Sequence, residues 1–188
     1  MTLVNDAVVA LRARRPVVLP TDTVYGLMAW PGRPEPVERL YRLKGRDPFK
    51  PIALLAASMD ALVEALPELD VAQAERFLPG GYTLIVPNPE HRFPWITGAD
   101  PGTIGVRVPV LPPVTAEIVS AIGYVCATSA NAAGGPDPRR LEDVPEEIRS
   151  ACGAVVDGGE LPGVPSTVLD LTSGGGEARV LREGEARP

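Results

Sequence analysis

The sequence predicts an α/β fold: an open, mixed sheet flanked by helices. Three observations predict it. Short apolar runs of strand character alternate with helical periods along the 188 residues. The alternation is irregular, with strand following strand before a helix intervenes, which points to a mixed sheet and away from a regularly wound parallel one. The 19 Gly and 22 Pro fall at element boundaries and in no low-complexity run, so they read as turns. A content of 45% hydrophobic and 22% charged residues is that of an ordinary globular chain. The length suits one domain over residues 1–188, which buries roughly 70% of its unfolded surface.

The elements follow in order. Residues 3–14 have a helical period, and 17–21 and 25–30 are apolar strands on either side of a polar turn. Residues 35–45 form a helix, with Val37, Leu40, Tyr41 and Lys44 at helical spacing and Gly45 as its stop. A strand over 51–57 precedes helices near 58–66 and 70–78, where Asp70 and Gln73 resemble a capping box. Strands follow at 82–88 and 103–109. In the second, Ile104, Val106 and Val108 share one face and Thr103, Gly105 and Arg107 the other. A helix over 113–123 leads into a buried strand at 124–129. Asp143 with Glu146 is expected to cap a helix running to about 152, and residues 154–158, 166–172 and 178–183 are short closing strands.

Composition excludes much chemistry. No run approaches the ~20 apolar residues of a membrane helix. The N-terminal MTLVNDAVVALRARR places its charges after its apolar part, the reverse of a signal peptide, so a cytoplasmic protein is expected. The two cysteines, Cys126 and Cys152, read as buried thiols in a reducing compartment. His91 is the single histidine and lies in a Pro-rich stretch, which rules out His-rich and four-cysteine zinc sites. The net charge is −6, yet residues 1–50 carry nine basic and five acidic side chains. A locally positive third on an acidic chain suits a small anionic ligand or a localised RNA contact. Sixteen of the eighteen basic residues are Arg. The only lysines, Lys44 and Lys50, flank Arg46 within KGRDPFKP, which suggests an anion site.

Six segments could carry chemistry. PTDTVYGL sets Thr21 and Thr23 at a strand end as hydroxyl donors, or simply as a turn. KGRDPFKP gathers Lys44, Arg46 and Lys50 as an anion cradle, or as a solvated basic loop. In TIGVRVP, Arg107 beside small Gly105 is accessible for a bidentate carboxylate contact, or guards a sheet edge. ATSANAAGGPDP ends a strand in small polar residues that admit a ligand close to the backbone, or merely leaves the sheet. PSTVLDL, with Ser166 and Asp170 on one face, and VLREG, with Arg182, read alone as edge strands. Neither GxGxxG nor GxxxxGK[ST] occurs.

Taken in order, PTDTVYGL, the KxR segment with its further Lys, PGG-x-T over Gly80–Thr83, GVRVP, TSAN-x-x-G and PSTVLDL resemble the YrdC/TsaC family across roughly residues 5–185. The resemblance implies a YrdC-like open twisted mixed sheet flanked by helices, with a concave, positively charged cavity, in the short single-domain form. It implies a nucleotidyltransferase that makes L-threonylcarbamoyladenylate and pyrophosphate from ATP, L-threonine and bicarbonate. The product would supply the tRNA threonylcarbamoyltransferase machinery downstream. Mg2+ would arrive on ATP, with no dedicated protein metal site. Lys44, Arg46 and Lys50 match catalytic, phosphate-contacting positions. Thr23, Arg107 and Ser166 match threonine-binding positions. Thr103, Ala127, Ser129, Asn131, Asp137 and Arg182, together with Arg46 and Lys50, match the nucleotide side. Four departures stand out: Leu55 where longer members show a threonine-contacting His, Met28 for Gly, Gly81 with Tyr82 for Pro and an apolar residue, and Ala133 for Ser. Two rivals stay open: a double-stranded RNA-binding module without catalysis, and a carbamoyl-adenylate-handling relative acting on another acceptor.

Overall fold

A computed structural model of the chain describes residues 3–173 and 177–186. Helix α1 (Leu3–Arg12) leads into strands β1 (Val17–Pro20) and β2 (Tyr25–Ala29), which pair antiparallel around the Thr21–Thr23 turn. Helix α2 (Pro34–Lys44) starts on a proline, whose fixed φ suits a first turn. It stops at Gly45, whose φ of 61° lets the N–H groups of Gly45 and Arg46 bond back to the carbonyls of Arg42 and Tyr41. Strand β3 (Ala53–Ala56), helices α3 (Met59–Ala65) and α4 (Val71–Ala74), and strands β4 (Tyr82–Pro87) and β5 (Thr103–Arg107) follow. Helix α5 (Pro113–Ser120), strand β6 (Tyr124–Ser129), helix α6 (Glu146–Ala151) and strands β7 (Ala154–Val155), β8 (Thr167–Asp170) and β9 (Arg179–Arg182) complete the order. No helix among the described residues is long and apolar enough to cross a membrane.

The elements match the expected order, with two differences. The helix expected over 70–78 covers only α4; Asp70 does cap it, accepting the Gln73 N–H at 3.0 Å. The expected cap of α6 by Asp143 is not formed. The Asp143 carboxylate accepts the backbone N–H groups of Arg139 and Arg140 at 3.1 and 2.9 Å and closes a 3-10 turn over Leu141–Asp143. Pro145 then opens α6 through its fixed φ and supplies no side-chain cap.

The nine strands among the described residues form one mixed sheet in the order β7-β1-β2-β6-β3-β5-β4-β8-β9. One face carries Val18, Leu27, Leu54, Leu84, Val106 and Cys126 into a core closed by α2, α3 and α6. The other carries Val17, Leu19, Met28, Leu55 and Val125 against α1 and α5. These two helices cover only part of that face. Beyond them the inward positions shrink to Gly26, Ala127, Ala53 and Gly105, and the register lays these residues across neighbouring strands. Ala127 is paired with Ala53, and a Cβ on Gly105 would lie 3.8 Å from the Ala53 Cα. Small side chains on an uncovered sheet face leave a hollow.

Candidate active site

That hollow is a cavity of about 380 Å³. Strand directions give it two ends. Thr83, Ser166 and Arg107 lie where β4 and β8 begin and the antiparallel β5 finishes. Ser129, Arg46 and Pro51 lie at the opposite end, where β6 finishes and the chain approaches β3. Of the residues singled out in the sequence, Thr23, Arg46, Arg107, Ala127, Ser129, Asp137, Ser166 and Arg182 line the cavity. Lys44, Lys50, Thr103 and Asn131 are not among its lining residues.

The basic segment therefore does not present three cations to one surface. Lys44 shares the buried face of α2 with Val37, Leu40 and Tyr41 and is only 3% exposed. Its ammonium donates to the carbonyls of Ser129 (2.6 Å) and Asn131 (3.0 Å), to Asn131 Oδ1 (2.5 Å) and to Ser129 Oγ (3.3 Å). Burial, with repulsion from Arg46, pushes its pKa down to about 8, while Asp137 opposes the shift. Lys44 thus holds the end of β6 from behind the cavity wall. Arg46 reaches the cavity and is braced by its own loop, donating to the carbonyl of Pro51 at 2.9 Å and more weakly to that of Lys50. The Lys50 side chain is exposed on that loop. Asn131 joins the Lys44 network and donates to the Gly135 carbonyl at 2.5 Å. Thr103 donates to Asp100 at 3.1 Å on the outer rim, and Ala127 lies inside the ladder between β2 and β3, flooring the cavity.

The Thr21–Thr23 turn, which joins β1 to β2 at the Ser129 end of the sheet, is closed on itself. Thr21 Oγ1 donates to the Val24 carbonyl at 2.6 Å and accepts the N–H groups of Thr23 and Val24, both at 3.2 Å. Thr23 Oγ1 sits 3.1 Å from Thr21 Oγ1, so both hydroxyls belong to one rigid corner of the cavity. Opposite, the Thr83 and Ser166 hydroxyls are 2.7 Å apart. Arg182 donates to the Ser166 carbonyl at 2.8 Å and to its hydroxyl at 3.3 Å, which places this arginine at the Ser166 end. Arg107, expected as an accessible fork, is instead 9% exposed, with Nη2 engaged by both oxygens of Asp22 at 3.1 and 2.8 Å. The turn folds over the sheet face to reach it. Desolvation pulls the Arg107 pKa down, Asp22 counters it, and Arg182 adds repulsion. The buried Arg107 Nε has no hydrogen-bond partner among the described residues.

Sequence reasoning missed Asp22 as the partner of Arg107, although it lies inside a motif already singled out. It also missed Gly26, Ala53 and Gly105 as the floor. The departures at Leu55 and Met28 are fully buried in the α1/α5 core, so neither side chain faces the cavity. Among the described residues, no three His, Cys, Asp or Glu side chains gather in a metal-binding group.

These features define a small-molecule site on an α/β sheet, and comparison places the chain in a family. The Sua5/YciO/YrdC family model, described as telomere recombination, matches residues 9–184, and the chain belongs to that family. The chain is 36% identical over 166 residues to the threonylcarbamoyl-AMP synthase of Pyrococcus abyssi, covering 86% of this chain and 48% of that protein. It is also 36% identical to the threonylcarbamoyl-AMP synthase of Chromohalobacter salexigens, covering 91% of this chain and 94% of that one. The chain thus spans about half the length of the long relatives it matches and nearly all of this short one. The crystal structure of P. abyssi Sua5 complexed with L-threonine superposes with a TM-score of 0.86 at 33% identity, over 96% of this chain and 54% of that one.

Proposed function

We propose that the chain is a threonylcarbamoyl-AMP synthase. The observation that carries this reading is the two-ended cavity: hydroxyls and a buried arginine at one end, and Arg46 with Ser129 at the other, over a single floor of small residues. An amino acid and a nucleotide can meet there. Thr23, Thr83 and Ser166 offer hydroxyls to threonine, and Arg107 offers the N–H groups that Asp22 leaves free to its carboxylate. Arg46 faces the phosphates, and Mg2+ enters as part of the ATP substrate. Threonine's unprotonated amine attacks the carbon of bicarbonate; water leaves and a carbamate forms. A carbamate oxygen then attacks the α-phosphorus of ATP, and pyrophosphate leaves with the electron pair of the broken P–O bond. Both steps concentrate negative charge, so the protein's part is positioning and electrostatic stabilisation. The closed Thr21–Thr23 turn and the braced Arg46 suit that part because they are already fixed. In this reading the product passes in the cytoplasm to a tRNA threonylcarbamoyltransferase, and an RNA contact would lie outside the cavity.

The test is pyrophosphate release from the purified chain with ATP, threonine and bicarbonate, with the adenylate identified by mass spectrometry. Release should require all three substrates. Because a site built around hydroxyl contacts rejects analogues lacking the hydroxyl, 2-aminobutyrate should be a poor substrate. Equal turnover of 2-aminobutyrate, or release without any amino acid, overturns the reading.

A further inference from the structure

Among the described residues three arginines line one cavity, Arg46 at one end and Arg107 with Arg182 at the other. A triphosphate could be held by either end, so something must make the ends chemically different. The difference is an ion pair: Asp22 is bonded to Arg107, whereas Asp137, the acid lining the cavity on the Lys44 side, is not bonded to Arg46. Asp22 sits at the tip of the β1–β2 turn, yet its carboxylate meets an arginine 85 residues away on β5. In the sheet order β2 and β5 are three strand positions apart, roughly 14 Å, so the pair spans the hollow and is no contact between neighbouring strands. Both side chains are nearly buried, each 11% exposed. The turn that carries Asp22 is locked by Thr21, as described, and by the Gly163 N–H, which donates to the Thr23 carbonyl at 2.8 Å. Asp22 engages Nη2, and the buried Nε–H of Arg107 has no partner among the described residues.

We infer that Asp22 is a positioning residue that fixes Arg107 and makes that end of the cavity selective for a zwitterionic amino acid over a phosphate. The inference rests on the proposed function. Asp22 holds the guanidinium plane so that its remaining donors are set for one carboxylate. Its own charge offsets that of Arg107, so the paired guanidinium holds a multiply charged phosphate weakly while its oriented donors still match a single carboxylate. Loss of the Asp22 charge should therefore move two affinities in opposite directions, which a purely structural role would not do.

The experiment uses Asp22→Asn, isosteric and still able to accept one hydrogen bond. Threonine Kd by calorimetry should rise at least tenfold. Inorganic phosphate should inhibit threonine-dependent pyrophosphate release at least fivefold more strongly, competitively with threonine. In an Arg107→Met background, Asp22→Asn should change threonine kcat/KM less than twofold, since the effect acts through Arg107. The inference is overturned if threonine Kd stays within threefold of wild type, if phosphate inhibition fails to strengthen, or if the effect persists without Arg107. It is also overturned if Asp22→Asn does not fold, because the pair is then a structural brace. Wild-type protein that binds no threonine overturns the functional reading itself, an outcome distinct from all of these.

Discussion

Gly105 offers a perturbation that should separate stability from function. It sits in β5, between β3 and β4, with its missing side chain aimed at the cavity. Its backbone needs no glycine: a Cβ would meet Ile85 Cδ1 at 3.4 Å, Thr83 Cγ2 at 3.7 Å and the Ala53 Cα at 3.8 Å, all ordinary contacts. Glycine inside a strand costs about 0.5–1 kcal/mol of chain entropy, and a β-branched residue suits a strand better. Gly105→Val should therefore stabilise the fold by about 0.5–1 kcal/mol, or roughly 1–4 °C in Tm for a chain of this size. The two added methyls have nowhere to go but into the hollow. Overlap of that size costs a ligand about 1–3 kcal/mol, so ATP and threonine affinities should fall roughly 5–150-fold. Thermal melting and calorimetry on one preparation read both effects. A variant that melts higher yet binds both ligands within twofold of wild type would refute the placement of the site on this floor.

Three further outcomes follow from particular contacts. Arg46→Ala should weaken ATP binding by about 1.5–3 kcal/mol in calorimetry, while Lys50→Ala, whose side chain lies outside the cavity, should change it less than threefold; equal losses would show that the phosphates extend over the loop. Lys44→Met removes the donor shared by Ser129 and Asn131 and should cost about 1–3 kcal/mol in urea denaturation; unchanged stability would mean the network is dispensable. Burial raises the Cys126 thiol to about 12, above its value in the unfolded chain, so the folded state keeps a proton that the unfolded state loses and stability must fall as pH rises from 9 toward 12. Cys126→Ala should flatten that fall by up to about 1.4 kcal/mol per pH unit, and identical slopes with and without the thiol would contradict its burial.

The sequence carried most of the fold because the strands are short apolar runs separated by Gly and Pro, and because Gly45 stops α2 with a local signal. Local signals also exposed the Thr21–Thr23 turn and the small polar end of β6. What stayed hidden depends on register. Gly26, Ala53 and Gly105 are unremarkable singly and become a floor only when three strands align them. The Thr83–Ser166 and Asp22–Arg107 contacts join residues 83 and 85 positions apart, and no periodicity spans such a distance. Asp143 misled for the opposite reason: its spacing to Glu146 fits a cap, but Pro145 between them already sets the φ that begins the helix.

Lys44 shows how a correct signal can rest on a different cause. The scarcity of lysine marked residues 44–50 as a place where Arg would not serve, and an exposed phosphate cradle was the natural inference. The structure gives another reason for the same preference. Four oxygens from Ser129 and Asn131 converge on one point behind the cavity wall, at 2.5 to 3.3 Å from the Lys44 nitrogen. An ammonium offers three donors from a single atom and can fill that point, whereas a planar guanidinium spreads its donors over three nitrogens and needs more room. Lys44 is only 3% exposed, so that point is closed to solvent. The charge that looked available to a ligand is spent inside the protein, orienting Ser129 at the cavity wall, and Arg46 is left as the cation of this segment that reaches the cavity.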